Sequence, residues 1–362
     1  MLYHLLYPLK DYFGPLNLFR YITFRAVYAG ALSLFICLFL GPWVIKKIKK
    51  MSLGQNIRDE VPKQHQTKTG TPTMGGMLMI FAIIIATLLF ADLTNHHILL
   101  GLFVIISFGL LGYVDDYLKV RIGKPRGLNK RTKLLFQIIF ALFVGIVLYF
   151  YPMDSELKTV TNFLFLKNVQ IDFRIFYIPF VVFVIVLTSN AVNLADGLDG
   201  LATGLLGISA GGYAVLSYVS GHSKLAEYLN ILFVSGSGEM TIFCFAMLGA
   251  CLGFLWFNTF PAQIFMGDTG SLPLGAVIGF AAIVAKQEFL LIFIGGVFII
   301  EAVSVLLQVI YFHTTRGKRI FRMAPLHHHF ELCGWQEPKI VVRFWVLGIL
   351  LALLAISTLK IR

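Results

Sequence analysis

Carboxylates are scarce in this chain, and those that could do chemistry fall in three short polar islands. The first is Asp115-Asp116, which follows Gly112-Tyr-Val at the end of an apolar run. Paired acids can hold a divalent cation, act as a base, or simply close a helix. Negative charge at a helix C-terminus opposes the dipole, so a metal or several basic groups must offset it. The plainer alternative is a solvated helix end paired with Lys119 and Arg121. The second island is Asn190-Ala-Val-Asn-Leu-Ala-Asp-Gly-Leu-Asp-Gly200. Its glycines let a ligand approach the backbone, and Asn193 and Asp196 can bond a base or ribose or reach a metal. It lacks the ligand ladder of a calcium loop, and a polar connector without function is the competing reading. The third is Phe265-Met-Gly-Asp-Thr-Gly-Ser271. It opens a helix, where free N–H groups attract phosphate and Asp268 can hold magnesium; Asp268 or Ser271 can equally be an N-cap. No P-loop signature is present, which disfavours that class of nucleotide hydrolase.

Histidines and one glutamate complete the inventory. His327, His328 and His329 stand together beside Arg319 and Arg322. In an extended segment His327 and His329 share a side. Zinc would need further ligands that the sequence does not offer, so contact with phosphate or sugar oxygens is preferred over a structural role. Glu301, Ser304 and Gln308 share one helix face; an acid inside a span marks function or bonds a neighbouring helix.

The elements that must position these groups are membrane helices. The 362 residues are 58% hydrophobic and 13% charged, against roughly 25% charged in soluble domains, and mean hydropathy is +0.82. Ten apolar runs are predicted to span a bilayer: 21–45, 74–91, 98–114, 134–151, 175–191, 201–219, 240–257, 271–286, 289–312 and 341–359. The fold class expected is an all-α integral membrane protein, one polytopic domain over 1–362. Residues 1–20 read as an amphipathic segment on the membrane surface, with no cleavable signal. The four cysteines show no disulfide or zinc spacing.

Net charge is +12, with 30 Lys/Arg against 18 Asp/Glu. The basic residues crowd into 46–73, 115–133 and 313–340, whereas 92–97, 220–239 and 286–288 carry only Lys224 and Lys286. The positive-inside rule puts the crowded loops in the cytoplasm. With alternating spans, all three acid islands and the histidines then converge on that one face. Such basicity suits anionic lipid and a polyphosphate substrate. An ion-coupled transporter would place its acids near the midplane between internal repeats; here they cluster at one surface, and no repeat is visible.

With these pieces placed, the sequence resembles the polyprenyl-phosphate N-acetylhexosamine-1-phosphate transferases over nearly its whole length. The carriers are Gly70-Thr-Pro-Thr-Met-Gly-Gly76, Gly112-Tyr-Val-Asp-Asp-Tyr117, the 190–200 island, Gly253-Phe-Leu-Trp-Phe-Asn258, the 265–271 island and Met323-Ala-Pro-Leu-His-His-His-Phe-Glu331. Ala195 and Thr269 are mild departures. The histidine triple after Met-Ala-Pro resembles the branch that takes UDP-MurNAc-pentapeptide; the alternative within the family takes UDP-GlcNAc.

The resemblance implies Mg2+ as cofactor, undecaprenyl phosphate as acceptor, and lipid I and UMP as products. It further implies a bacterial inner-membrane enzyme with a cytoplasmic site, surrounded by membrane lipids, a homodimer, and no nucleic-acid partner. Carried over residue by residue, Asp268 is the magnesium ligand, Asp115 and Asp116 stand beside the lipid phosphate, and His327 joins them as catalytic. Lys68, Thr73, Asn193, Asp196, Asp199, Asn258, Phe265, Gln308, His328 and His329 line the donor pocket. Lys119, Lys130, Arg131 and Lys133 form a basic surface for phosphates.

Overall fold

The computed structural model describes residues 1–50, 70–120, 127–163 and 170–360. Within them the chain forms α1 (Leu2–Leu6), α2 (Ile22–Lys50), α3 (Gly76–Phe90), α4 (His96–Val120), α5 (Lys130–Phe150), α6 (Tyr177–Ala195), α7 (Leu201–Ser220) and α8 (Ser223–Leu229). It continues through α9 (Met240–Asn258), α10 (Asp268–Val284), α11 (Leu291–Ile294), α12 (Gly296–Thr314), α13 (Leu326–Leu332) and α14 (Glu337–Thr358). A small antiparallel pair, β1 (Val160–Asn162) and β2 (Gln170–Asp172), aligns Val160 with Asp172.

Each of the ten apolar runs becomes a helix. Eight are long and apolar enough to cross a membrane, counting the turns that lead into α6 and α9. The other two, α3 and α10, have 15 and 17 residues. At 1.5 Å per residue they measure ~22 and ~26 Å, short of a ~30 Å hydrocarbon core. The ninth run is broken: a turn over Glu288–Leu290 and α11 precede α12, because the Gly295-Gly296 pair weakens the helix.

The shortness of α10 goes with its place at the centre. Every residue from Thr269 to Val284 is buried, and α10 packs mainly between α4 and α6. A second layer sets α2 on α9 and α9 on α7. Outward faces are apolar: Leu135 and Phe143 on α5, Leu306 on α12, and Leu350 and Leu353 on α14 are exposed. Such a surface needs lipid, because water tolerates only small apolar patches.

At the end remote from the acid islands, Arg25 makes a two-pronged ion pair with Glu239, Nη2 to Oε1 at 2.6 Å and Nη1 to Oε2 at 2.9 Å. The Asp92 backbone N–H donates to the same carboxylate at 2.9 Å, so one buried pair ties the start of α2, the end of α3 and the lead into α9. Residues 1–20 fold as α1 and two 3-10 turns over Tyr7–Asp11 and Gly14–Arg20. They lie against this end: the Met1 amine donates to Leu88 O at 2.8 Å, and His4 meets Asp92 at 2.9 Å. The described parts of the next connection, 151–163 and 170–176, also lie here and add Lys158 and Arg174 to the sparse charge of this end.

Candidate active site

The opposite end gathers the acids. α4 does not stop at Asp115-Asp116 but runs on to Val120, which puts Lys119 one turn beyond and on the same face. Lys119 Nζ reaches Asp115 Oδ2 at 2.7 Å, Asp268 Oδ2 at 2.6 Å and Asp116 Oδ1 at 3.8 Å. Lys133, in the first turn of α5, reaches Asp268 Oδ2 at 2.7 Å and Asp115 Oδ2 at 3.5 Å. Two ammonium groups therefore offset the acids that the helix dipole opposes.

Glycine makes the approach of α4 and α10 feasible. A Cβ at Gly112 would stand 2.2 Å from Asp268 O. Gly267 holds φ +73, where side chains are strained, and a Cβ there would press on Asp116 Oδ2 and Thr73 Oγ1 at 2.6 and 2.8 Å. Thr73 is thereby placed against the same turn.

The first turn of α10 is not an open phosphate cradle. The Thr269 N–H and hydroxyl both donate to Asp116 Oδ2, at 2.9 and 2.7 Å. The N–H groups of Gly270 and Ser271 bond Gly267 O at 3.0 Å each. The helix N-terminus thus stabilises the chain's own Asp116 carboxylate. Asn193 Nδ2 donates to Asp268 Oδ1 at 2.7 Å and Ser271 Oγ at 2.8 Å, and Leu128 N–H donates to Asp115 Oδ1 at 2.6 Å. Every acid of the triad is held by at least one directed donor.

Ligand oxygens of Asp115, Asp116 and Asp268 lie within 4.8 Å of one another. Magnesium takes oxygens at ~2.0–2.1 Å, so opposed ligands stand ~4 Å apart. Three hard carboxylates at this spacing fit such an ion after slight contraction. Asp196 stands just past α6, where the neighbouring acids already set an excess of negative charge. Burial, reinforced by Asp268, Asp116 and Asp199, pushes its carboxyl up to about 8.

The other expected residues divide by what they touch. Asn258 is buried between Thr203, which donates to its Oδ1 at 2.8 Å, and Ile264 O, which its Nδ2 reaches at 2.9 Å. Asp199 is buried, accepting from Ala262 N–H at 2.9 Å, while its own N–H donates to Glu337 Oε1 at 2.7 Å. Both brace the loops around the acids. Phe265 is half-buried, its N–H on Pro72 O and its carbonyl accepting from Gly75. Gln308 accepts from Phe321 N–H at 2.9 Å. Lys130 and Arg131 are exposed at the start of α5. Lys68 lies outside the described residues.

The histidines are helical rather than extended, forming α13 after Pro325. His327 and His329 therefore do not share a side. The ring of His327, fully buried, lies 4.2 Å from that of His328. His328 Nδ1 meets Glu331 at 2.7 Å. His329 turns toward Phe321 and takes a hydrogen bond from Arg322 N–H at 3.1 Å. Sequence reasoning missed Thr269 as the holder of Asp116 and Glu337 as a brace. The position of Thr269, just after an acid at a helix start, was the available signal.

An all-α helical bundle with a triad of lysine-bound acids at one end defines the class: a membrane enzyme that handles phosphate. Residues 97–286 match the family model described as Glycosyl transferase family 4. Across the full length of both chains, this one is 52% identical to the phospho-N-acetylmuramoyl-pentapeptide-transferase of Thermodesulfovibrio yellowstonii. The enzymes of that name from Desulfosudis oleivorans and Geobacter sp. are 53% and 51% identical, again with complete coverage. The chain belongs to the phospho-N-acetylmuramoyl-pentapeptide-transferase family.

Proposed function

We propose that the protein transfers phospho-MurNAc-pentapeptide from UDP-MurNAc-pentapeptide to undecaprenyl phosphate, giving lipid I and UMP. The observation that carries this reading is the meeting of three carboxylates and two ammonium groups in a chain that matches those relatives from end to end. An oxygen of the lipid phosphate attacks the sugar-side phosphorus of the donor. The bond from that phosphorus to the bridging oxygen breaks, and the oxygen leaves with UMP.

The acceptor monophosphate, with a second pKa near ~6, arrives largely ionised, so no strong base is required. Catalysis is then mainly positioning and charge neutralisation. Lys119 and Lys133 hold the incoming phosphates against the acids, and Asn193 and Thr269 fix the directions of Asp268 and Asp116. Magnesium held by Asp268 with Asp115 and Asp116 would supply neutralisation of charge on the departing UMP. The tethering of Asp115 and Asp116 by N–H, O–H and ammonium donors supports direct displacement over a covalent aspartyl intermediate, because donors lower a carboxylate's nucleophilicity.

The same reading takes the site to the cytoplasmic face of a bacterial inner membrane, and the protein to a homodimer. The bacterial sources of the relatives and the basic residues at the site end support the location. The test is UMP release by purified protein. It is expected only when UDP-MurNAc-pentapeptide, a polyprenyl phosphate and magnesium are all present. Faster release from UDP-GlcNAc would move the protein to the other branch.

A further inference from the structure

Helices α2 and α9 touch closely up to Gly41, where a Cβ would stand 2.3 Å from the Phe257 ring. Just beyond, α9 ends at Asn258, while α2 runs on to Lys50. The overhang leaves an open cavity of about 510 Å³, lined by Pro42, Lys46, Lys49 and Lys50 on one side and Phe257 and Gln263 on the other. All three lysines are exposed, and among the described residues no carboxylate pairs with them. They differ in this from Lys119 and Lys133, which the acid triad already engages.

The depth of the cavity follows from α2 itself. Its 29 residues extend ~44 Å, well beyond a ~30 Å hydrocarbon core, so its last turns stand at headgroup level. Phe35, Phe39 and Trp43 are exposed at successive turns of the same helix, and Lys47 Nζ lies 4.8 Å from the Trp43 ring. Tryptophan settles where acyl chains meet headgroups. Phe39 and Trp43 each stand three residues before a lining residue, Pro42 and Lys46, and so adjoin the cavity on the helix surface. Positive-inside bias and the helix dipole account for lysines here, but neither calls for a cavity among them.

We propose that this cavity binds the phosphate headgroup of an anionic diacyl phospholipid from the surrounding leaflet, with an acyl chain laid along Phe39 and Trp43. Ammonium groups are point charges on flexible stems and select for charge rather than for headgroup shape. The bulk anionic lipid therefore fills the site by mass action, ahead of any scarce carrier lipid.

The test is native mass spectrometry of the full chain in detergent, titrated with phosphatidylglycerol or phosphatidylcholine of the same acyl chains. One phosphatidylglycerol should be retained with ~10-fold or more preference over phosphatidylcholine. The triple variant Lys46→Gln, Lys49→Gln, Lys50→Gln should lose that preference. A control with Arg316→Gln, Lys318→Gln and Lys339→Gln removes the same charge from exposed positions at the same end and should keep it. Gln263→Trp leaves the lysines in place but fills part of the cavity, and should weaken retention too. Equal retention of the two lipids, equal loss in the control, or parental retention in Gln263→Trp overturns the site. Displacement of the lipid by an equal concentration of inorganic phosphate, or tighter retention of a polyprenyl phosphate, overturns the class of ligand.

Discussion

Asp268 accepts from three side chains of different segments, Lys119, Lys133 and Asn193, so its replacement should affect chemistry before it affects folding. Asp268→Asn is expected to lower kcat by ~100-fold or more with the melting temperature nearly unchanged; parental turnover with undiminished magnesium dependence would remove it from the metal site. Thr269→Val deletes only the hydroxyl that holds Asp116 and should cost ~10–100-fold in activity, read as kcat at saturating donor. Asp196 supplies a test by pH. Its carboxyl is raised to about 8 in the fold, against ~3.9 unfolded. The neutral form is therefore the one the fold favours: its stabilising contribution is complete below the unfolded value and is lost as pH rises through about 8. In EDTA, Asp196→Asn should resemble the parent near pH 4, rise progressively above it through pH 6, and melt higher than it by the widest margin at pH 9. An identical pH trend in both proteins would contradict the raised value. Spacing exposed these acids but not their orientation. Asp199 reads like Asp196 in sequence, yet its carboxylate is committed to Ala262, a difference created by the loop after α9 and invisible without it.

At the scale of elements, the helices were legible because lipid imposes a length and an apolar composition on anything that crosses it. All ten runs appear as helices at nearly the expected places. What escaped were features set by a neighbour rather than by composition. The histidine segment forms α13, packed at the foot of α12 and α14, where seven residues carry too little periodicity to be told from a loop. The Gly295-Gly296 break and the β1–β2 pair escaped for the same reason. The brace at the remote end makes the element-scale prediction. Arg25 and Glu239 are buried, and removing one partner strands the other. Arg25→Ala should destabilise by ~3–5 kcal/mol, measured by thermal unfolding in detergent, while Arg25→Met with Glu239→Met should regain much of the loss. A single variant as stable as the parent would show the pair to be dispensable.

For the whole molecule, the asymmetry of basic charge predicts orientation. Cysteines introduced at Lys318 and Ser223, both exposed, in a background without native cysteines, should react with an impermeant thiol reagent from opposite sides, the first from the cytoplasm. Reaction of both from one side would sink the alternating topology. The central helix carries a further consequence. A 17-residue rod with Asp268 at one tip cannot reach both surfaces of a bilayer that its neighbours cross in full. A deficit at the Asp268 tip would place the carboxylates below the waterline of the membrane. A prenyl chain can deliver its phosphate there while remaining dissolved among the acyl tails, whereas the nucleotide has to dive. The two reactants come from different solvents, and the length of one helix bears on the depth at which they meet.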